Sequence, residues 1–300
     1  MINFSTQILI EAFIGGLAAG GIYALIAFSL SLTLSTTRVL NIAHGDFLVM
    51  GAALSVLLLR YMELNPVLSF IIVLAFFILV GILFEAVVVR QIMGKSAQQM
   101  LIGSILITFG LALALESSMG FLWSNYVDPL PRFSFPMFLP RIELWGLAVS
   151  GSRLVILVFV ALAMLGFHLF LTRTFWGKGA RALAQNYESA LIMGLNPHRV
   201  LAVIFTASIL ATSISGIFYI LAVPLEPYSG LPLVIKALTI IILGGVGSLP
   251  GALIAGLLLG LAETFTGLAI GSIWAPAVAI AVLFAVLVVR PTGLMGKAEL

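Results

Sequence analysis

Long runs without a formal charge constrain this chain more than any other feature. Asp, Glu, Lys and Arg are absent from residues 12–37, 64–84, 96–115, 154–172, 200–225, 237–262 and 264–289. About 20 apolar residues carry an α-helix across the hydrocarbon core of a bilayer, and each run is near or above that length. An eighth run, residues 39–59, is interrupted only by Asp46. The runs are continuous rather than alternating, which argues for helices and against a β-barrel. The expected fold is all-α: a polytopic protein of the lipid bilayer with about eight or nine transmembrane or partly re-entrant helices.

Composition agrees. Charged residues make up 8% of the 300, against about one-quarter in soluble domains. The net charge of +3 gives no reason to expect nucleic acid as a partner. With no cysteine there is no disulfide framework and no thiolate metal site. The opening residues, MINFSTQILIEAF, lack a basic segment before the first apolar run. The first helix is therefore expected to be retained rather than cleaved as a signal peptide.

Near the end, ALTIIILGGVGSLPGALIAGLLLGLA between Lys236 and Glu263 carries Gly244, Gly245, Gly247 and Pro250 close together. One continuous helix tolerates that cluster poorly, so two segments with a turn near residues 247–251 are expected. Irregular backbone is allowed at membrane depth where protein covers it. Small residues at Gly16 and Gly20, and at Ala252, Gly256 and Gly260, have the spacing that lets helices pack closely in lipid. They suit packing within one subunit or between two.

Orientation follows from the basic residues. If residues 173–199 are cytoplasmic, alternation places Arg38, Arg90, Lys95, Arg173, Lys178, Arg181, Arg199, Arg290 and Lys297 inside. Arg60, Arg132, Arg141, Arg153 and Lys236 fall outside. Basic residues favour the cytoplasmic side, so an outside N-terminus and an inside C-terminus are expected. The long outer connection, residues 120–152, holds Pro129, Pro131, Pro136 and Pro140 with Trp123 and Trp145 near its ends. It is read either as an ordered cap or as a plain linker.

The polar stretch GKGARALAQNYESALIMGLNP is the exception to this oily background. Asn186 is a favoured N-cap, Glu188 suits the helix dipole, Gly194 can take a left-handed C-cap, and Pro197 stops propagation. This predicts a two-turn helix over residues 187–193, preceded by a helical piece over 179–184 along the membrane surface. A helix so short is unstable alone. Small residues Ser189, Ala190 and Gly194 with bulkier Leu191 and Met193 would suit docking onto another protein. An interfacial helix lying in the headgroups fits equally.

Ionisable groups inside the membrane are costly and usually face a partner or a cavity. Asn41, His44 and Asp46 open the second helix, with Gly45 admitting close backbone approach. Glu263 lies within an apolar run, while Glu85 and Glu116 are expected near the interface. Asn41 and Asp46 could cap a helix and pair with Arg38, or line a pathway. A catalytic His44 with Ser29 or Ser35 is the sharp rival, but it would need a nucleophile held by a third group. Glu263 is read as a helix contact or as a partner for a substrate ammonium.

Several stretches carry a resemblance. Glu188-Ser189-Ala190-x3-Gly194 resembles the "EAA…G" loop of ABC importer membrane subunits, with Ser in place of the middle Ala. GGIYALIAFSLSLTLSTTRVLNIAHGDFLVMGA, KALTIIILGGVGSLPGALIAGLLLGLAE and VVRPTGLMG are similar to branched-chain amino acid permeases of the LivH type. With the polar stretch they cover roughly a third of the chain, end to end.

The resemblance implies a single permease domain over residues 1–300 in a bacterial inner membrane, with a periplasmic loop at 120–152 and a cytoplasmic coupling loop at 173–199. It implies a heterodimer with a LivM-type permease, two LivG/LivF-type ATPase subunits, and a periplasmic binding protein delivering branched-chain or related amino acids. Glu188, Ser189, Ala190, Leu191 and Gly194 would then meet the ATPase. Asn41, His44, Gly45, Asp46 and Glu263 are the candidates for pathway or gate. The chain has no GxxxxGK[ST] run to hold phosphates, so ATP and Mg would sit on the partner subunits and this chain would hold no catalytic residue. The rivals are the same machine carrying urea, amides or aromatic acids, a standalone ion-coupled carrier, and an intramembrane enzyme.

Overall fold

The computed structural model describes residues 6–93, 96–126, 142–144, 147–223 and 225–296. Its long helices are α1 (Thr6–Thr37), α3 (Pro66–Phe84), α5 (Ala97–Tyr126), α6 (Gly151–Arg173), α9 (Pro197–Ala222), α11 (Leu249–Ala269) and α12 (Ala275–Val289). α3 runs on through a π-helical turn into the short α4 (Arg90–Ile92), making one span to Ile92. Seven helices among the described residues are long and apolar enough to cross a membrane. Two more apolar helices are shorter: α2 (His44–Val56), extended to Tyr61 by a π-helical turn, and α10 (Gly230–Gly244). Two surface helices, α7 (Phe175–Gln185) and α8 (Tyr187–Ile192), join α6 to α9.

The all-helical expectation needs one small addition, a hairpin of β1 (Ile142–Leu144) and β2 (Leu147–Val149) before α6. The rest of the proline-rich connection, including Pro129, Pro131, Pro136, Pro140 and Trp145, lies outside the described residues. So do Lys95, Arg132, Arg141 and Lys297. α5 continues to Tyr126, so Glu116 sits within the helix.

α1 is the axis of the bundle. Its widest contact is an antiparallel seam with α11, where Gly16 faces Gly260 and Gly20 faces Gly256. A Cβ on Gly20 would come within 2.6 Å of the Gly256 carbonyl oxygen. The small-residue stripe therefore packs inside the chain and lets two backbones touch, the gain expected where lipid gives no hydrophobic drive between helices.

The two short helices are half-spans. Thr37 ends α1, and Ser29 lies eight residues back, about 12 Å deeper at 1.5 Å per residue. His44, the first residue of α2, reaches Ser29 Oγ with its Nε2 at 2.9 Å. The chain therefore re-enters the bundle over residues 38–43 before α2 starts. α5 satisfies the re-entrant backbone: Leu40 N–H donates to Ser104 Oγ (3.2 Å) and Ile42 N–H to Thr108 Oγ1 (3.0 Å). α10 mirrors this arrangement. α9 ends at Ala222, the chain returns, and α10 starts at Gly230 beside Gly45 and Asp46. α10 ends at Gly244 against Gly251 of α11. The predicted break thus lies at residues 245–248, with positive φ at Gly245 and Gly247.

One end of the bundle carries the α1 terminus, the start of α5 and the α7–α8 pair, which together line a cavity. Of the described basic residues, Arg38, Arg90, Arg173, Lys178, Arg181, Arg199 and Arg290 stand at that end, and Arg60 and Arg153 at the other. Lys236 stands at neither. The expectation of a loop lysine is corrected here: it lies within α10.

Candidate functional site

α8 is built as the cap residues dictate. Asn186 Oδ1 accepts from Ser189 N–H at 2.9 Å, and Gly194 takes φ +81°. Pro197 does more than stop a helix; it opens α9 behind the cap Asn196. α7 is held by a turn at Thr174, whose Oγ1 donates to the Phe170 carbonyl at 2.6 Å and accepts from Gly177 N–H at 3.1 Å. Gly177, Gly179, Ala180 and Leu183 face the bundle.

Of the five residues expected on the α8 docking face, Glu188, Ser189, Leu191 and Gly194 are exposed. Ala190 is not. It is buried in the core between α3, α7 and α9, because something must anchor so short a helix. Two residues stand out instead: Ile192 and Met193 are 87% and 83% exposed. Met193 stood outside that set of five but was read as a bulky residue suiting docking; Ile192 was missed. Beside them opens a cavity of about 570 Å³, lined among others by Arg38, Met100, Gln185, Tyr187, Glu188 and Leu191.

The second region is the junction of the half-helices. Asn41, His44 and Asp46 are all buried. His44 Nε2 meets Ser29 Oγ at 2.9 Å and Thr212 Oγ1 at 2.6 Å, and the two hydroxyls are 2.8 Å apart. Ser208 on α9 donates to the Ser29 carbonyl at 2.7 Å. This ties α1, α2 and α9 together. Among the described residues no carboxylate is hydrogen-bonded to His44 to orient it as a base, and Ser35 lies elsewhere, on the cavity wall. The catalytic rival thus lacks its third group. No cluster of three potential metal ligands occurs among the described residues.

Asp46 does not pair with Arg38, which is exposed at the bundle end with φ +58°. Among the described residues neither carboxylate oxygen of Asp46 has a hydrogen-bond partner, nor does Asn41 Oδ1. Ala43 is the N-cap of α2 and no side chain caps it, so the capping expectation for Asn41 and Asp46 also fails. Instead the Asp46 carboxylate presses on Gly230, the first residue of α10, while Gly45 packs on the Gly230 carbonyl. Two helix N-termini carry partial positive charge here, and Asp46 sits between them.

Glu263 is placed differently. Lys236 Nζ lies 2.9 Å from both of its carboxylate oxygens and 3.1 Å from Tyr23 Oη, which accepts. The ammonium also lies 4.3 Å from the centre of the Tyr23 ring, and Tyr219 packs 6.2 Å away. Sequence reading missed Lys236 by assigning it to a loop. The available signal was its position six residues into a helix that starts inside the bundle, which only the structure reveals. Glu85, expected near the interface, is buried with His198 Nδ1 at 3.6 Å.

Residues 12–289 match the family described as "Branched-chain amino acid transport system / permease component". Among curated proteins, the chain is 29% identical to the high-affinity branched-chain amino acid transport system permease protein BraD of Pseudomonas aeruginosa, over 97% of this chain and 96% of that one. It is 28% identical to LivH of Escherichia coli with the same coverage. A probable LivH of Methanocaldococcus jannaschii is 22% identical over 94% of this chain and 91% of its own. Among solved structures, PsaBC from Streptococcus pneumoniae in complex with Fab matches with a TM-score of 0.50 and 14% identity, over 95% and 92% of the two chains. At that identity the likeness shows the fold alone.

Proposed function

Since the chain belongs to the branched-chain amino acid transport system permease family, we propose that it is the membrane-spanning permease subunit of an ATP-driven importer. Its cargo is branched-chain or related amino acids, delivered by a periplasmic binding protein. The observation that carries this reading is α8: a short helix, anchored by Ala190 from within, that presents Ile192 and Met193 to the outside. Two apolar side chains in water at a bundle end gain by entering a partner's groove, about 1.5–3 kcal/mol for each side chain fully buried.

The partners are two ATPase subunits of the LivG/LivF type, which bind ATP and Mg, and a second permease of the LivM type. The α8 end then faces the cytoplasm, in line with the excess of basic residues there, and the N-terminus faces the periplasm of a bacterial inner membrane. ATP-driven closure of the ATPases moves α8, and with it the residues that line the adjoining cavity. Hydrolysis takes place on the partners and this chain catalyses nothing. A second reading, an ion-coupled carrier, has one observation in its favour, the intramembrane Lys236–Glu263 pair. The same importer carrying urea, amides or aromatic acids differs only in cargo.

The test uses the assembled complex in proteoliposomes. Ile192→Asp should cut both co-purification with the ATPases and leucine uptake at least tenfold while the permease itself stays folded. Undiminished assembly and uptake would count against α8 as the coupling element. Full uptake without any ATPase subunit would favour the carrier.

A further inference from the structure

We propose that the Lys236–Glu263 pair is a transient binding site for the zwitterionic head of an α-amino acid on its way through the membrane. The inference rests on the permease reading above and adds a site to it.

Depth is the first argument. Tyr23, which accepts from Lys236 at 3.1 Å, sits halfway along α1. The pair therefore lies near mid-membrane rather than at a headgroup surface. Exposure is the second. The side chains of Lys236 and Glu263 remain 26% and 11% exposed, so the chain does not seal them. Lys236 borders a face of α10 on which Leu231, Ile235 and Ile242 are exposed. Fixed charges that open onto lipid are costly, and intramembrane charges face protein or a water-filled cavity instead. That face of α10 is thus one that lipid should not cover.

Charge is the third argument. The pair sums to zero, and an amino acid at neutral pH also sums to zero. When the substrate enters, its carboxylate takes Lys236 and its ammonium takes Glu263. One ion pair becomes two, and no charge is left unpaired. The Tyr23 hydroxyl stays within reach of whichever group lies on Lys236, and the exposed aliphatic side chains of α10 suit a branched apolar substituent. The exchange is close to balanced, because the resident pair must open. That suits a pathway, where a site must bind well enough to admit a solute and weakly enough to release it. An uncharged amide gains nothing from the exchange, and a singly charged solute leaves one partner bare.

The experiment compares variants in the reconstituted complex with its ATPases and binding protein. Lys236→Met with Glu263→Gln removes both charges together. The proposal expects assembly and basal ATP hydrolysis within about twofold of the parent and leucine uptake at least tenfold lower. Replacing both members of a purely structural buried pair is often neutral, so near-parent uptake would overturn the proposal.

A second variant guards against misfolding. The chain contains no cysteine, so Thr239→Cys, one turn beyond Lys236 on α10, introduces a unique thiol in it and leaves the Lys236–Glu263 pair in place. The proposal expects this thiol to react with a charged, membrane-impermeant methanethiosulfonate. Saturating leucine with ATP should slow the reaction at least threefold. No reaction in any nucleotide state would overturn the proposal, as would reaction indifferent to leucine. If the parent complex moves no amino acid at all, the permease reading falls as well; if it does, and the double variant transports like the parent or the thiol is never protected by leucine, the site alone falls.

Discussion

Two of the carboxylates within the described apolar helices, Asp46 of α2 and Glu263 of α11, are held in opposite ways. Asp46 is 2% exposed, has no hydrogen-bond partner for either oxygen among the described residues, and is wedged at the meeting point of two half-helices. Glu263 has a bidentate partner in Lys236, and the pair stays partly open. A buried charge is tolerated only when something offsets its lost hydration. Asp46 has the N-terminal ends of α2 and α10 beside it, whose partial positive charge favours a carboxylate; Glu263 meets a lysine side chain. Helix ends cannot swing away, and a lysine can. On the proposal above, the sealed carboxylate belongs to the architecture, and the open pair exchanges partners with a passing solute.

The largest effect should come from closing the gap at the sealed junction. A Cβ on Gly45 would overlap the Gly230 carbonyl, and one on Gly230 would overlap Asp46 Oδ1. Gly45→Ala pits backbone against backbone, so it should cost more than the 1–3 kcal/mol typical of overpacking. The detergent-solubilised protein should largely lose its monodisperse peak in size-exclusion chromatography. Gly230→Ala should be milder and specifically rescued by Asp46→Ala, because its clash is with that carboxylate. Independent costs in this double-mutant cycle would break the picture of Asp46 as the wedge.

A smaller effect sharpens the contrast between the two acids. Asp46→Asn keeps the shape but turns an N–H toward helix ends that already carry unsatisfied N–H groups. It should lower stability by about 1–2 kcal/mol, the scale of a partly buried charge at a helix terminus, seen as a lower midpoint in thermal unfolding. Leucine uptake per folded transporter should be kept. Glu263→Gln should do the reverse, sparing the fold more than the transport.

How much of this was legible beforehand follows from the kind of signal each residue carries. The spans could be read because hydrocarbon imposes a length and an absence of charge, and the runs at 12–37 and 200–225 need no tertiary knowledge. α8 could be read because Asn186 and Gly194 act locally on their own backbone. Ala190 was misjudged because burial is a tertiary fact: a small residue suits docking or anchoring equally well. Lys236 was misplaced for the same reason. Alternation counts charges between runs, and a half-helix starting inside the bundle breaks that bookkeeping. Ser104 and Thr108 gave no sign of their role, since their partners are backbone groups more than 60 residues away.

Those two residues give the smallest and cleanest test of the comparison. Ser104 and Thr108 accept from the re-entrant backbone that carries Asn41 and leads into Asp46, and among the described residues none of these hydrogen bonds involves Lys236 or Glu263. Ser104→Ala leaves the Leu40 N–H without that acceptor, at a cost of about 1–3 kcal/mol if the group stays dry. The partly buried position lowers this toward the bottom of the range. The expected outcome is a modest drop in the unfolding midpoint and faster hydrogen exchange at residues 39–43. The leucine protection of the Thr239→Cys thiol should not change. If protection were lost as well, the two carboxylates would be coupled through α10, whose first residue touches Asp46 and whose seventh is Lys236, and the division between a sealed joint and an open site would give way to a single moving unit.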